Sequence, residues 1–128
     1  MPDTEKITIN LSAVDLGRID LLAEEGFYSN RTDFIRAAIR KELDAHREVV
    51  AKSVTRKAMA LGLVSYTRRI LEECERKRQK LDINVVGGVH FSKDVPAELA
   101  RRTIQSVKVH GVLRASQAVK DALADRIR

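Results

Sequence analysis

The stretch EKITINL, residues 5–11, constrains the fold of this chain more than any other feature. Apolar and polar side chains alternate along it, as in a strand with one buried face and one exposed face. The apolar set is Ile7, Ile9 and Leu11, and the polar set is Lys6, Thr8 and Asn10. No second strand-like run occurs before residue 61, so the backbone donors and acceptors of this strand have no local partner.

The residues after this strand predict an amphipathic helix over about 13–25. Ser12 is a good N-cap, and Asp15 lies where a carboxylate favours the positive end of the helix dipole. Gly26 follows the last residue of the helical pattern and predicts its end, because glycine readily adopts a left-handed conformation.

A second helix is predicted within SNRTDFIRAAIRKEL, with Ser29 or Asn30 as its cap. One strand and two helices are too few to enclose a core, so the unit needs a second copy. A two-fold dimer would pair the two strands antiparallel and close their apolar rows over four helices. The predicted dimer core consists of Ile7, Ile9, Leu11, Ile35 and Ile39.

Charge is distributed unevenly along the 128 residues. The net charge is +6, which favours a polyanionic partner, yet residues 1–45 hold 6 basic and 9 acidic side chains. The positive excess therefore lies beyond residue 45.

Aromatic residues make up 4% of the chain and Trp is absent, which disfavours stacking on the bases of single-stranded nucleic acid.

The remainder of the chain contains a weak internal repeat aligned on Gly62, Gly88 and Gly111. Each copy begins with a strand-like segment and continues into a helical one, which favours a small α/β module. Chance similarity among valine-rich segments would explain the repeat equally well. The predicted domains are 1–45, a helical extension or linker at 46–60, and the module at 61–128, in an α+β chain overall.

Residues 5–45 resemble the ribbon-helix-helix fold of the CopG, Arc and MetJ class of bacterial DNA-binding regulators. The resemblance rests on the strand, both helices and the GFYSNRTDF turn between them. It implies an intertwined homodimer that inserts a two-stranded ribbon into the major groove of double-stranded DNA. Matched by position, the base-reading residues are Lys6, Thr8 and Asn10, and the phosphate-binding residues are Ser29, Asn30 and Arg31.

The chemistry of these side chains agrees with those roles. Lys6 can donate to guanine, Asn10 can pair with adenine, and Thr8 can hydrogen-bond or place its methyl group against thymine. The expected function is a transcription regulator, most simply a repressor that occludes its operator. An alternative is an antitoxin that represses its own operon and neutralises a toxin through its C-terminal part. The C-terminal module could also form higher oligomers or bind a protein partner.

Other functions receive little support from the sequence. Cys74, His90 and His110 lack the short paired spacing of a metal site, so no metal is expected. Motifs for phosphate binding, nucleophilic catalysis or a dinucleotide cofactor are also missing, which predicts no enzyme activity and no cofactor. A single cysteine and no apolar run of membrane-spanning length lead us to expect a cytoplasmic protein that does not enter a membrane.

Overall fold

The computed structural model describes residues 4–128 and has the predicted mixture of helix and strand. The chain divides into two compact units, Met1–Lys52 and Ser53–Arg128. Residues 1–3 of the predicted first domain lie outside the described residues. The predicted domain boundaries at residues 45 and 60 remain predictions.

The N-terminal unit contains helices α1 (Ala13–Glu24) and α2 (Arg31–Ala45). The Ser12 hydroxyl accepts a hydrogen bond from the backbone N–H of Asp15 at 3.1 Å, which confirms the predicted N-cap. Gly26 has φ of 89°, and the N–H of the next residue, Phe27, donates to the Leu22 carbonyl at 3.0 Å. This backbone pattern is a Schellman C-cap, so the predicted role of Gly26 in ending α1 is also confirmed.

The segment after α2 forms a separate helix, α3 (Arg47–Arg56). Between them, His46 has φ of −106° and ψ of 13°, which interrupts the helical path. Its Nδ1 lies 2.9 Å from the Glu42 carbonyl oxygen, a group left without a partner where the helix ends. Residues Arg47–Arg56 therefore form a helix of their own after a one-residue break, and the role of 46–60 as an extension or linker stays a prediction.

Three strands and three helices alternate in the C-terminal unit. They are β1 (Ala60–Tyr66), α4 (Arg68–Arg76), β2 (Leu81–Phe91), α5 (Ala97–Thr103), β3 (Ile104–Arg114) and α6 (Gln117–Ala122). The strands form a parallel sheet in the order β1-β2-β3. Parallel neighbours cannot be joined by a tight hairpin, and each connection here passes through a helix.

Glycines set the register of this sheet. Gly62 is paired with Gly87, and Gly87 with Gly111, and all three have φ near +135°. A Cβ on Gly87 would overlap the Gly62 carbonyl oxygen, and one on Gly111 would overlap the Gly87 carbonyl oxygen. Glycine is required at both places because the neighbouring backbone occupies the position of a side chain.

The repeat alignment that used Gly88 is wrong by one residue, because the equivalent glycine is Gly87. With Gly87 as the anchor, the second and third copies need no inserted residue. Val95 and Val119 then follow their glycines at equal distances, as do Leu99 and Leu123. The corrected register supports a real structural repeat over chance similarity.

One face of the sheet and the helices enclose the core of the C-terminal unit. Along β2 the buried side chains alternate, and they contact buried residues of all three helices. The core consists of Leu71, Ile83, Val85, Val89, Phe91, Val95, Leu99, Ala100, Ile104, Val107, Val119 and Leu123. Thr103 is the buried polar side chain among them, and its hydroxyl donates to the Leu99 carbonyl at 2.7 Å. This unit therefore has a folded interior within a single chain.

Candidate nucleic-acid interface

The segment predicted to be a strand is assigned to neither helix nor strand in the single chain. Within residues 4–128, no strand pairs with residues 5–11. A strand requires a hydrogen-bonded neighbouring strand. Because the described part of the chain offers none to residues 5–11, the segment does not form a strand in the single chain. The strand itself remains a prediction about the assembled protein.

Both sets of alternating side chains in this segment are exposed. Ile7 is 73% exposed, Ile9 54% and Leu11 39%. Lys6, Thr8 and Asn10 are exposed as well. The three predicted base-reading residues therefore lie on an exposed segment, and their contacts to DNA stay predictions.

Apolar exposure extends over the rest of the N-terminal unit. Of its described hydrophobic side chains, Ile19 alone is buried. Predicted dimer-core residue Ile39 is 46% exposed, and Ile35 is half-buried. Further large apolar side chains exposed in this unit are Val14, Leu21, Phe27, Leu43, Val49 and Val50. So much exposed apolar surface on a small unit is typical of a protein interaction site.

The start of α2 is built by side chains of the preceding turn. Asn30 is the N-cap, and its Oδ1 accepts from the Asp33 N–H at 2.8 Å. In return, Asp33 Oδ2 accepts from the Ser29 N–H at 3.0 Å. Tyr28 and Phe34 pack edge to face with ring centroids 5.0 Å apart, which fixes the entry into the helix. Of the two predicted caps, Asn30 is the one used.

This arrangement limits how α2 can bind a phosphate. The N-terminus of a helix attracts anions, but the carboxylate of Asp33 already lies there. The Asn30 Oδ1 and the Ser29 N–H are engaged in the cap. Donors that remain for a phosphate include the Ser29 hydroxyl, the Asn30 amide N–H groups and the first backbone N–H groups of α2.

Arg31 is paired with a carboxylate of the first helix. Its Nε and one terminal nitrogen donate to the two carboxylate oxygens of Asp20 at 2.8 and 2.9 Å. The hydrogen bond from Arg31 lowers the pKa of Asp20, and the same pair raises the pKa of Arg31. Asp20 therefore stays ionised at acidities that protonate an ordinary aspartate, and the pair is lost only as the pH falls through that lowered value.

Asp20 was missed in the sequence because it lies eleven residues before Arg31, on another helix. The ion pair shows that Arg31 joins α1 to α2 in the single chain. A phosphate bound by Arg31 would share the guanidinium with Asp20 or displace it, since an arginine has five N–H donors.

The three residues considered for a metal site, Cys74, His90 and His110, lie on three different elements of the C-terminal unit. Within the described part of the chain, no three His, Cys, Asp or Glu side chains are placed to hold a metal ion. Cys74 lies half-buried on α4, His90 half-buried on β2, and His110 exposed on β3.

Several cations of the C-terminal unit are paired locally. Arg68 Nε donates to Glu72 at 2.6 Å, and Arg102 donates to Glu75. Arg76 also pairs with Glu73. These pairs reduce the contribution of α4 and α5 to the positive field that the sequence charge predicts.

A model of the Ribbon-Helix-Helix transcriptional regulator family matches residues 2–120. No curated protein and no solved structure matches the chain significantly. The resemblance found in the sequence covered residues 5–45, whereas the family match extends through both compact units. Over residues 4–128, none of the helices has the length and apolar character needed to cross a lipid bilayer.

Proposed function

The chain belongs to the ribbon-helix-helix transcriptional regulator family, and from this premise we propose that it acts as a homodimeric, sequence-specific DNA-binding regulator. In this proposal, residues 5–11 of two chains pair antiparallel and form a ribbon that enters the major groove. Binding would occlude the operator and repress transcription.

The exposure of Ile7, Ile9 and Leu11 in the single chain is the observation that carries the proposal. Fully burying an Ile or Leu side chain stabilises a protein by about 1.5–3 kcal/mol. Three such residues from each chain would bury a continuous apolar row in the dimer. The same pairing gives residues 6–11 the neighbouring strand that is absent from the strand pairs within residues 4–128.

The opposite face of this ribbon would carry the sequence recognition. It presents Lys6, Thr8 and Asn10 from each chain, and all three can hydrogen-bond to base edges. The Ser29 hydroxyl and the Asn30 amide group would contact the phosphate backbone from the start of α2. Such contacts position the ribbon without reading sequence.

The C-terminal unit favours a regulator over an antitoxin. Antitoxin tails that become ordered on binding a toxin lack a core of their own. Here residues 60–123 hold a buried core within one chain. The unit is therefore expected to be folded before any partner binds.

Selecting bound sequences from a random DNA pool would identify the site, and variants of the ribbon would then test the roles. We expect Lys6→Ala and Asn10→Ala each to weaken binding to the selected site by about 1–3 kcal/mol and to relax base preference. Lys41→Ala removes the same charge as Lys6→Ala from an exposed position on α2 and serves as the control. Equal losses on selected and random DNA for the ribbon variants would contradict base reading.

Arg31 and Asp20 give a second test through non-specific affinity. We expect Arg31→Ala to weaken binding to all sequences alike and to reduce the slope of log affinity against log salt by about 0.9. Asp20→Asn frees the guanidinium from its carboxylate partner and is expected to strengthen binding to all sequences. Fluorescence anisotropy over a salt series measures both effects. If Asp20→Asn weakens binding as much as Arg31→Ala does, the pair acts by holding α1 and α2 together, and direct phosphate contact is excluded.

A further inference from the structure

The outer edge of β1 is open. In the part of the chain that the structure describes, β1 pairs with β2 on one side and with no strand on the other. Leu61 is 69% exposed and Leu63 is 63% exposed along it. Stacked repeats need their terminal copies capped, and a sheet edge with apolar side chains is a template for another strand.

The other edge of the sheet is covered over only part of its length. On β3, the Val107 N–H donates to the Arg126 carbonyl at 3.0 Å, and the Arg128 N–H donates to the Val107 carbonyl at 2.8 Å. Ile127 thus forms a parallel bridge with Val107. Within residues 4–128, no strand pairs with the outer edge of β3 at Val109–Leu113.

Gly62 indicates what kind of group fits the open edge. It has the same φ as Gly87 and Gly111, near +135°. At those two glycines, the carbonyl oxygen of the preceding strand's glycine occupies the position of a Cβ, but at Gly62 nothing lies within 4 Å of that position. Gly62 therefore has a backbone shape that accepts a glycine carbonyl from a parallel strand, and that place is empty in the single chain.

A second copy of β3 supplies this carbonyl in the correct register. Repeating the step from Gly62 to Gly87 to Gly111 once more places Gly111 of one copy against Gly62 of the next. Ala60 then lies opposite Val109, just past the Val107 position that the C-terminal residues cover. β1 therefore fits along the free part of the β3 edge without overlapping the part that the C-terminal residues cover.

The side chains that would meet across this contact are compatible. Leu63 would lie beside Val112, so that an exposed leucine and a half-buried valine cover each other. On the core side of the sheet, Val64 would lie beside Leu113, continuing the apolar row of Val64, Val89 and Leu113. The pairing extends the sheet and its core together.

We propose that the C-terminal unit associates head to tail, with β1 of one copy adding in parallel to β3 of another copy. The contact is heterologous, so a pair of copies still has one free β1 edge and one free β3 edge, and association continues beyond two chains. It uses the C-terminal unit alone and does not depend on DNA binding. Combined with the N-terminal dimer, it would link dimers bound at neighbouring sites.

Sedimentation of the full-length chain over a range of concentrations tests this association. Leu63→Glu places a carboxylate against Val112 of the next copy and is expected to weaken association on the order of 100-fold. Val112→Lys is expected to weaken it alone as well, and mixing the two variants restores pairing between them. With the N-terminal dimer removed by Ile9→Glu, this mixture is expected to grow beyond two chains, because both the unaltered contact and the contact between the two substituted side chains form. The matched control, Leu63→Lys mixed with Val112→Lys, is expected to stop at two chains, because only the unaltered contact between Val112 of the first variant and Leu63 of the second can form. A wild-type protein that keeps the mass of a dimer at every concentration overturns the proposal.

Disulfide trapping identifies the geometry independently of stability. In a Cys74→Ser background, Leu63→Cys and Val112→Cys are prepared separately and mixed under mild oxidation. A disulfide that forms between the two variants only in the mixture supports head-to-tail pairing. A homodisulfide of Leu63→Cys alone shows β1 paired with itself and overturns it. Repeating the experiment with Ile9→Glu added separates this contact from the N-terminal dimer, because trapping is expected to persist when that dimer is lost.

Discussion

Gly111→Ala is expected to remove about half of the stability of the C-terminal unit. The added methyl group would overlap the Gly87 carbonyl oxygen, and alanine would be held at φ of 135°. Overpacking costs about 1–3 kcal/mol and a residue held in a sparsely populated backbone region costs a similar amount, so the total is about 2–6 kcal/mol. A unit of this size has a stability of only about 4–11 kcal/mol. Urea unfolding followed by circular dichroism measures the loss.

Gly62→Ala separates the two contributions to this loss. Gly62 has the same φ, but no atom lies within 4 Å of its Cβ position in the single chain. In dilute solution, where chains do not associate, we expect Gly62→Ala to cost only the backbone term, about 1–3 kcal/mol. Equal losses for Gly62→Ala and Gly111→Ala would show that backbone strain alone sets the requirement for glycine.

The helices of the N-terminal unit could be predicted closely because their signals are local. Ser12 caps α1 through an N–H only three residues away, and Gly26 ends it through bonds to the preceding turn. Such contacts form between residues that are close in sequence, so they can be predicted without knowing the fold.

The glycine register was harder to predict because two glycines stand together in β2. Gly87 and Gly88 look equivalent in the sequence, and only the close approach of β1 distinguishes them. The equal spacing of Val95 and Val119 from Gly87 and Gly111 was the signal that could have identified the correct anchor. The alignment on Gly88 required an inserted residue, which was evidence against it.

The electrostatics of the proposed phosphate site lay beyond sequence reasoning. Arg31 matched a phosphate-binding position, but its pairing with Asp20 depends on how the turn at Gly26 brings α2 back toward α1. The carboxylate of Asp33 was expected in the first turn of α2, yet its bond to the Ser29 N–H removes a donor that a phosphate would use. The sequence thus identified the charged residues of the site, but it did not identify which groups they pair with.

Ile9→Glu is expected to abolish the N-terminal dimer and, with it, DNA binding. In the proposed dimer Ile9 lies on the buried face of the ribbon, whereas in the single chain it is 54% exposed. Two isoleucines, each about half exposed in the single chain, are lost per dimer, which costs about 1.5–3 kcal/mol, or roughly a 10–10²-fold weaker association, before the cost of burying two carboxylates is added. Analytical ultracentrifugation and DNA-binding assays on the same preparation measure both losses.

Thr8→Glu is the matched control, because it places the same carboxylate one residue away on the opposite face of the ribbon. There it would face the DNA, so we expect it to abolish DNA binding by charge repulsion while the dimer persists. The pair of variants thus assigns the two faces of residues 5–11 separately. If Thr8→Glu dissociates the dimer and Ile9→Glu does not, the faces are reversed; if neither changes the mass of the protein, the N-terminal unit is held together by other surfaces.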